Sequence, residues 1–439
     1  MRNIQETLRQ TAAFEKTVLP SGLTVLVRPM PGYGSVHAEY ATRFGSIDRE
    51  FTVDGRTVKL PAGVAHFLEH KMFESEDGDA FSKYAKTGAN ANAFTSFDQT
   101  CYIFTATRNV DESMDVLLGM VSAPYFTAET IQKEQGIIGQ EIRMYDDNVD
   151  WRMLFALCDC LYEHHPIRSD IAGTVESIAE ITPEMLYACT DAFYSPSNMV
   201  LSAAGDVTME QVLAACARAG LDKPCAKPVV QRVQRPEELT PFKPGCQFTM
   251  SIVKPCIGVG FKEKPLTPEN RVKGEILCDL LSEVICGGMT PLYRKLYDEG
   301  LVNPGFGGEY LAVDGCCCLL FTGESEQPEL VRSLLLEEIA RVRREGVDEE
   351  LFTLCKNQMY GEMLETLESV TGASGCLVTS HMRGTTISDS IGTLAALTKQ
   401  ELDEALQTML LEEHSATVLI LPAEGGAAED EDEPEQDEE

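Results

Sequence analysis

The sequence predicts an α+β fold in which one structural unit is used twice. The chain has 439 residues, too many for one compact core and suited to two or three domains. Strand-like and helix-like patterns follow each other in mixed order, without the regular alternation that builds a parallel sheet. A stretch with five prolines, residues 222–245, reads as a linker between two halves of similar length.

The first half opens with strand patterns and continues with helical ones. Three stretches are typical of strands: LTVLVRP (23–29), SVHAEYATRF (35–44) and AFTSFDQTCYIFTAT (93–107). A helix is predicted over residues 62–74, and long helical patterns run from about Asp111 to Met144.

The two halves close with the same succession of signals, which is the evidence for a repeat. Each has a threonine cap, Thr182 or Thr398, followed by an amphipathic helix, a polar break and an apolar strand. Thr398 together with Glu401 fits a capping box. We therefore expect domains at residues 1–221 and 246–426, on either side of the linker.

The chain is strongly acidic, with a formal net charge of −34. An acidic surface argues against nucleic acid as a partner, because phosphates are bound by lysine and arginine. The last stretch, EDEDEPEQDEE, holds nine acidic and no basic residues, so we expect residues 427–439 to form a disordered tail.

Cysteine usage and the lengths of apolar runs indicate a cytoplasmic protein that is not inserted in a membrane. Three of the fifteen cysteines are consecutive, Cys316 to Cys318, which suits a buried strand better than a disulfide framework. The N-terminal segment is polar and charged, without the apolar core of a signal peptide. The longest apolar runs are of strand length, too short to span a bilayer.

Two of the seven histidines stand four residues apart in VAHFLEHKMFE, residues 64–74, with Glu69 directly before the second. On a helix, His66 and His70 share one face and can hold one zinc ion. The pattern H-x-x-E-H is the inverted form of the zinc-protease helix. Glu69 lies too far around the helix to be a good third ligand, but it can reach a metal-bound water.

A third ligand is expected downstream, in the helical stretch TAETIQKEQGIIGQEIRMYDDN. This stretch carries Glu134 and Glu141, seven residues and two turns apart on one face. One of them can complete the metal shell while the other hydrogen-bonds a ligating histidine. The alternative is that both are ordinary solvated glutamates of an acidic protein.

With these motifs the sequence resembles the pitrilysin-type inverzincin metallopeptidases, the family of the insulin-degrading enzymes and the mitochondrial processing peptidase. The stretches VAHFLEHKMFE and NAFTSFDQTCYIF and the two glutamates carry the resemblance, which runs from about Leu19 to Leu421. YSPSNM, HPIRSDIAGT and LYDEGLV are most similar to the short bacterial members. The resemblance implies two homologous α/β-sandwich domains, each a mixed sheet packed with helices, and a zinc endopeptidase that cleaves unstructured peptides.

The family pattern also implies residue roles. His66, His70 and Glu141 match the ligands of one zinc ion per chain, in the N-terminal domain. Glu69 matches the general base, and Glu134 matches the carboxylate that orients a ligand.

Three further residues, Asn92, Ala93 and Phe94, resemble the substrate-binding edge of the family. At that edge an extended peptide adds to a sheet as an extra strand. The alternative is a plain sheet strand without a binding role.

The sequence departs from the family pattern in one place. Many members carry an Arg and a Tyr seven residues apart in the second half, which contact the substrate and the tetrahedral oxyanion. This chain has Leu296 and Asn303 at the matching positions. Neither side chain can donate as the missing pair does. The expectation is a homodimer or heterodimer with a related subunit that supplies the Arg and Tyr, with nearby Tyr293, Arg294 and Tyr297 as the alternative.

Two other functions remain open. A non-catalytic or partner-dependent subunit would keep the fold, although it would not need an intact zinc motif. A lyase that cleaves S-ribosylhomocysteine also uses an H-x-x-E-H zinc helix, but that enzyme is one short domain and this chain is twice as long. Imidazole and carboxylate ligands favour zinc over manganese or cobalt.

Overall fold

A computed structural model of the chain describes residues 13–76 and 78–423 and contains two similar sheets packed with helices. The expected acidic tail, residues 427–439, lies outside the described residues. The strands of the first half are β1 (Glu15–Val18), β2 (Thr24–Pro29), β3 (Val36–Thr42), β4 (Glu50–Val53), β5 (Arg56–Lys59), β6 (Glu74–Ser75), β7 (Gly78–Asp79), β8 (Asn90–Thr95), β9 (Thr100–Ala106) and β10 (Met199–Gly205). Its helices are α1 (Val64–Lys71), α2 (Ala80–Thr87), α3 (Val110–Ser122), α4 (Ala128–Asp146), α5 (Val149–Leu161), α6 (Val175–Ile178), α7 (Pro183–Phe193) and α8 (Met209–Arg218).

The second half, with the segment that leads into it, contains the remaining elements. Its strands are β11 (Val230–Arg232), β12 (Gly245–Met250), β13 (Cys256–Lys262), β14 (Gly307–Val313), β15 (Cys316–Glu324) and β16 (Ser415–Pro422). Its helices are α9 (Arg271–Cys286), α10 (Pro291–Asp298), α11 (Pro328–Glu345), α12 (Glu349–Thr366), α13 (Val370–Met382), α14 (Ile387–Ala396) and α15 (Lys399–Leu406).

The two large sheets share an arrangement of five strands, and the first sheet has one further strand, β1, at its edge. The strand order is β1-β2-β10-β3-β9-β8 in the first and β12-β16-β13-β15-β14 in the second. In each sheet one pair is parallel, β2 with β10 and β12 with β16, and the other neighbours are antiparallel. The predicted α+β class and the repeated unit are therefore confirmed.

Each large sheet is covered on one face by helices of its own half and on the other by a helix from the opposite half. The first sheet packs against α3 and α8 on one face, and α13 lies across β2, β10 and β3 on the other. The second sheet packs against α9 and α11, while α5 lies across β12, β16 and β13. The two halves have thus exchanged one helix each.

Burial on both faces explains the continuous apolar run CCCLLF in β15. Cys317, Leu319 and Phe321 belong to the core between this sheet and its own helices. The alternating residues, including Cys318 and Leu320, belong to the core under α5. A strand without a solvated face has no reason to alternate polar with apolar residues, and the predicted buried cysteine strand is confirmed.

Close packing of α5 depends on a glycine in β13. A Cβ at Gly258 would lie 2.5 Å from Sδ of Met153 and 2.9 Å from Cδ1 of Leu157, both on α5. These distances are below van der Waals contact, so only glycine lets the helix approach the sheet this closely.

The structure confirms the predicted helix caps and shortens one predicted helix. The predicted helix over residues 62–74 is shorter, and α1 ends at Lys71 before a turn leads to β6. The cap at Thr182 and the capping box of Thr398 with Glu401 are confirmed. Among the described residues, no single helix is long and apolar enough to cross a membrane; α9 and α10 pass that test only as a pair, bent by 47°.

Candidate metal centre

The helix α1 carries the H-x-x-E-H motif and starts at a point of close backbone approach. Gly63, its N-cap, has φ of 87°, and a Cβ there would lie 2.4 Å from the carbonyl oxygen of Ala172. Glycine is required because it tolerates both the left-handed backbone and the contact. One turn apart on this helix, His66 and His70 face the same way, with ring centroids 4.7 Å apart.

A second helix, α4, packs against α1 and brings two carboxylates to the histidines. It begins with a capping box of Thr127 and Thr130. Glu134 is buried, and Glu141, two turns further along, is partly exposed. The pair predicted from spacing therefore lies on the face that meets α1.

Three side chains converge on one point between the two helices. Nε2 of His66 lies 3.6 Å from Oε1 of Glu141, and Nε2 of His70 lies 3.5 Å from Oε2 of the same residue. Within residues 13–76 and 78–423, His66, His70 and Glu141 form the only group of three potential ligands close enough to hold one metal ion.

The spacing of these atoms fits a zinc ion. Zinc binds imidazole nitrogen and carboxylate oxygen at about 2.0–2.2 Å in tetrahedral geometry, which separates ligand atoms by about 3.4 Å. The donor set of two imidazoles and one carboxylate is also the set that zinc prefers. Nδ1 of His66, the ring nitrogen that does not face Glu141, is buried without a hydrogen-bond partner among the described residues, so His66 lacks the orienting contact that His70 has.

Glu134 orients His70 rather than joining the ligand group. Nδ1–H of His70 donates to Oε1 of Glu134 at 3.1 Å, which leaves Nε2 facing Glu141. Burial lowers the pKa of His70, but the Glu134 hydrogen bond and the nearby carboxylates outweigh it and raise this pKa overall. Lys71, fully buried beside Glu134, pairs with Glu74 and lies 3.9 Å from Oε2 of Glu134.

Glu69 lies beside the ligand group and is held by a hydroxyl. Oγ1 of Thr95, at the end of β8, donates to Oε2 of Glu69 at 2.6 Å. Burial raises the pKa of the Glu69 carboxyl, against the lowering effects of His66, the Thr95 hydrogen bond and His70. A carboxylate with a raised pKa is a stronger base and better suited to exchange protons near neutral pH.

Glu141 has the opposite electrostatic character. Its contact with His66 and its hydrogen bond from Tyr145 hold the pKa of this carboxyl down at about 2, although burial acts in the other direction. The carboxylate is therefore ionised at neutral pH, as a metal ligand must be.

The three predicted substrate-binding residues lie on the edge strand β8. Among the described residues this strand pairs with β9 alone, and it packs beside α1. Asn92 and Phe94 are exposed, and Ala93 between them is half-buried. An open strand edge beside the candidate metal centre has the geometry on which an extended peptide can add.

The positions that lack the family's Arg and Tyr lie in the second half. Leu296, on α10, is fully buried in the core of that half. The side chain of Asn303 is occupied, because Nδ2 donates to Glu324 at 2.9 Å and Oδ1 accepts the backbone N–H of Gly305 at 3.1 Å. Nearby, Tyr293 and Tyr297 stack with ring centroids 6.1 Å apart.

The sequence patterns did not predict three residues that contact this site: Lys71, Thr95 and Tyr145. Lys71 and Thr95 carry no spacing signal that sets them apart. Tyr145 does, since it follows Glu141 by four residues on the same helix, a spacing at which side chains meet.

Comparison with known proteins gives two family matches that together span most of the chain. Residues 59–175 match the insulinase family, peptidase family M16, and residues 180–359 match the peptidase M16 inactive domain. The candidate metal centre falls in the first match.

Individual relatives agree with these matches. An uncharacterised zinc protease of Bacillus subtilis, YmfH, is 34% identical over 422 residues, which cover 95% of this chain and 98% of that protein. A second one from the same organism, YmxG, is 25% identical over 82% of this chain and 88% of its own length.

Solved structures share the fold. A putative M16-like peptidase from Alicyclobacillus acidocaldarius has a TM-score of 0.90 at 33% identity, with coverage of 94% of this chain and 98% of that one. A protease from Helicobacter pylori has a TM-score of 0.81 at 17% identity, with coverage of 94% and 100%.

Proposed function

This chain belongs to the insulinase family of M16 peptidases, and from that premise we propose that it is a zinc-dependent endopeptidase acting on extended, unstructured peptides. The observation that carries the proposal is the convergence of His66, His70 and Glu141 on one point, with Glu69 beside them. Relatives named zinc proteases support zinc as the metal.

Zinc held by His66, His70 and Glu141 would act as a Lewis acid and make water a nucleophile near neutral pH. Side chains of the protein carry out the proton transfers and orient the ligands. Glu69 accepts a proton from the attacking water and returns it to the leaving amine. Its buried position and raised pKa favour this shuttle, and the Thr95 hydroxyl holds the carboxylate in place. Glu134 keeps the proton of His70 on Nδ1, so that Nε2 stays available as a ligand.

The substrate would lie along β8. Backbone groups near Asn92, Ala93 and Phe94 would pair with an extended peptide, which fixes the backbone rather than the side chains of the substrate. A peptide in this position runs past Thr95 towards Glu69. Because folded proteins seldom offer a free extended segment, unstructured peptides are the expected substrate class.

The second candidate is a partner-dependent peptidase, and one observation favours it. Leu296 is buried and has no donor, and one N–H of the Asn303 amide is already bonded to Glu324, so these two positions do not replace the donors of the Arg and the Tyr. A missing oxyanion donor is worth about 3–4 kcal/mol, or two to three orders of magnitude in rate. A related subunit that supplies Arg and Tyr would restore it, in a homodimer or a heterodimer.

The test is cleavage of a quenched fluorescent peptide library by the zinc-loaded chain and by Glu69→Gln. We expect the variant to bind zinc like the wild type but to lose at least about a hundredfold in kcat, since general acid–base catalysis contributes about 10²–10⁴-fold. Glu76→Gln, a substitution of a nearby glutamate outside the ligand group, is the control. Equal activity of wild type and Glu69→Gln would exclude this mechanism, whereas a zinc-loaded but inactive wild type that gains activity with a related subunit would favour partner dependence.

A further inference from the structure

The carboxylate of Glu141 is held by a single hydrogen bond in the described part of the chain. The hydroxyl of Tyr145, one turn further along α4, donates to Oε1 of Glu141 at 2.8 Å. Both oxygens of this carboxylate also face the histidine Nε2 atoms, at 3.6 and 3.5 Å. The tyrosine therefore acts on Oε1, the oxygen that faces His66 beside the candidate metal position.

Without this bond Glu141 would be the least constrained of the three ligands. Its side chain is 26% exposed, and a glutamate has three rotatable bonds. The ring of His70, by contrast, is fixed through Glu134, and the ring of His66 is buried. Fixing a flexible ligand when the metal binds costs conformational entropy, and this cost weakens metal binding.

Tyr145 is itself held in one orientation by the only tryptophan of the chain. Its ring stacks on Trp151 of α5, with centroids 4.8 Å apart and an interplanar angle of 19°. The indole Nε1–H of Trp151 donates to Oδ2 of Asp170 at 2.6 Å. Oδ1 of Asp170 accepts the backbone N–H of Ala172 at 2.8 Å, so the carboxylate is also fixed.

These contacts form a continuous support behind the ligand. It runs from Glu141 through Tyr145 and Trp151 to Asp170, and it ends in the loop that packs against the start of α1. The same loop therefore positions the helix with both histidines, through Gly63, and the glutamate on α4, through the aromatic pair.

We propose that Tyr145 is a positioning residue for the metal ligand Glu141, and that Trp151 and Asp170 hold it in place. This inference rests on the proposed metal-binding function of the site. The hydroxyl keeps the carboxylate in the conformation that faces His66 and His70. The Glu141 side chain therefore loses less conformational entropy when zinc binds. Partners of metal ligands commonly contribute about 10–100-fold to metal affinity.

The experiment is a measurement of zinc affinity for Tyr145→Phe, which keeps the ring stack and removes only the hydroxyl. Affinity is measured by competition with a chromophoric chelator, and the visible spectrum of the cobalt-substituted protein reports on ligand geometry. We expect zinc binding to weaken about 10–100-fold and the cobalt spectrum to change. The thermal midpoint of the metal-free protein should stay close to that of the wild type, which separates positioning from a loss of folding.

Tyr33→Phe is the matched control, because its hydroxyl donates to the backbone carbonyl of Glu368, outside the metal centre. Wild-type zinc affinity and an unchanged cobalt spectrum in Tyr145→Phe would overturn the inference.

A Glu141→Gln variant distinguishes this outcome from failure of the proposed function. If Glu141→Gln loses tight zinc binding and Tyr145→Phe does not, only the positioning role is wrong. If Glu141→Gln binds zinc as tightly as the wild type, or the wild type binds none, both proposals are wrong.

Discussion

At the scale of single residues, the candidate centre contains charges that are buried but not isolated. Lys71 is fully buried, yet its ammonium pairs with Glu74 and lies 3.9 Å from Glu134. Burial alone would raise the pKa of Glu134, but the hydrogen bond to His70 and the charges of His70 and Lys71 lower it overall. Glu134 can therefore remain an ionised acceptor for the His70 N–H at neutral pH.

A buried carboxylate elsewhere in the chain lacks such compensation. Glu263 accepts the backbone N–H of Leu410 at 2.7 Å, and burial raises its pKa to about 8 in spite of this bond and the charge of Arg343. The ordinary glutamate pKa is 4.5. Between these two values the folded chain keeps a proton that the unfolded chain releases, so the stability due to this group is fully present below the unfolded pKa and is lost as the pH rises through about 8.

Glu263→Gln should therefore stabilise the protein at alkaline pH. We expect the free energy of unfolding at pH 8 to rise by roughly 1–3 kcal/mol, because one pKa unit corresponds to about 1.4 kcal/mol. The gain should shrink towards pH 5, and urea denaturation across this range measures it. Glu404→Gln, at an exposed position, is the control, and a gain that does not depend on pH would contradict the assignment.

At the scale of elements, α5 and α13 each pack on the sheet of the opposite half, and both lie against small residues of that sheet. The core under α5 holds Gly258 against Met153 and Leu157. On the other sheet, Ser374 of α13 donates from its hydroxyl to Ser202 of β10 at 3.0 Å. In both places the strand residue under the helix has a small side chain or none.

Gly258→Val should destabilise the protein by pushing α5 away from β13. Overpacking a tight core typically costs about 1–3 kcal/mol, which chemical denaturation would detect. Gly307→Val on the edge strand β14, where a Cβ would meet no atom within 4 Å, should be close to neutral. Equal stability of the two variants would mean that α5 is free to shift.

The parts of the site that follow from spacing along one helix could be predicted from the sequence. His66, Glu69 and His70 lie within about one turn of the same helix. The caps that were predicted correctly also involve residues within one turn of each other, on other helices. Glu134 and Glu141 have a fixed spacing too, but only tertiary packing brings α4 to α1. Thr95 was not predicted because its contact with Glu69 depends on where the end of β8 lies in the folded chain. Local sequence patterns do not determine that position.

The exchange of α5 and α13 was also beyond sequence reasoning. An apolar helix face indicates that the face is buried, but it does not say which of two sheets covers it. The two sheets are so similar in topology that pattern alone gives no preference.

At the scale of the whole molecule, a buried ionic cluster joins the two halves through the segment between them. The carboxylate of Glu237 accepts the backbone N–H groups of Glu163, His164 and His165 in the first half. It also accepts Nζ of Lys262, from β13 of the second half, at 2.8 Å, and that lysine is only 2% exposed. Burial raises the pKa of Glu237, but Lys262 and the three N–H groups lower it overall.

Removal of either partner should strongly destabilise the protein, because an unpaired buried charge would remain. We expect Glu237→Ala and Lys262→Met each to lower the free energy of unfolding by about 3–5 kcal/mol. The double variant should lose clearly less than the sum, because no lone charge is left behind. Glu345→Ala breaks two solvent-exposed ion pairs, with Arg341 and Arg344, and should change stability only slightly. Strict additivity in the double variant would mean that the cluster is not cooperative.

The helix exchange also has a consequence for the chain as it leaves the ribosome. Strands β2, β3 and β10 are complete once residue 205 has emerged, but the helix that covers their second face ends at Met382. At a synthesis rate of about 5–20 residues per second, this apolar face of the sheet stays exposed for roughly 10–35 seconds before the covering helix has been made. We therefore expect chaperones to bind the nascent first half during translation. A ribosome-bound fragment stalled near residue 250 should be cut by a protease that the finished protein resists.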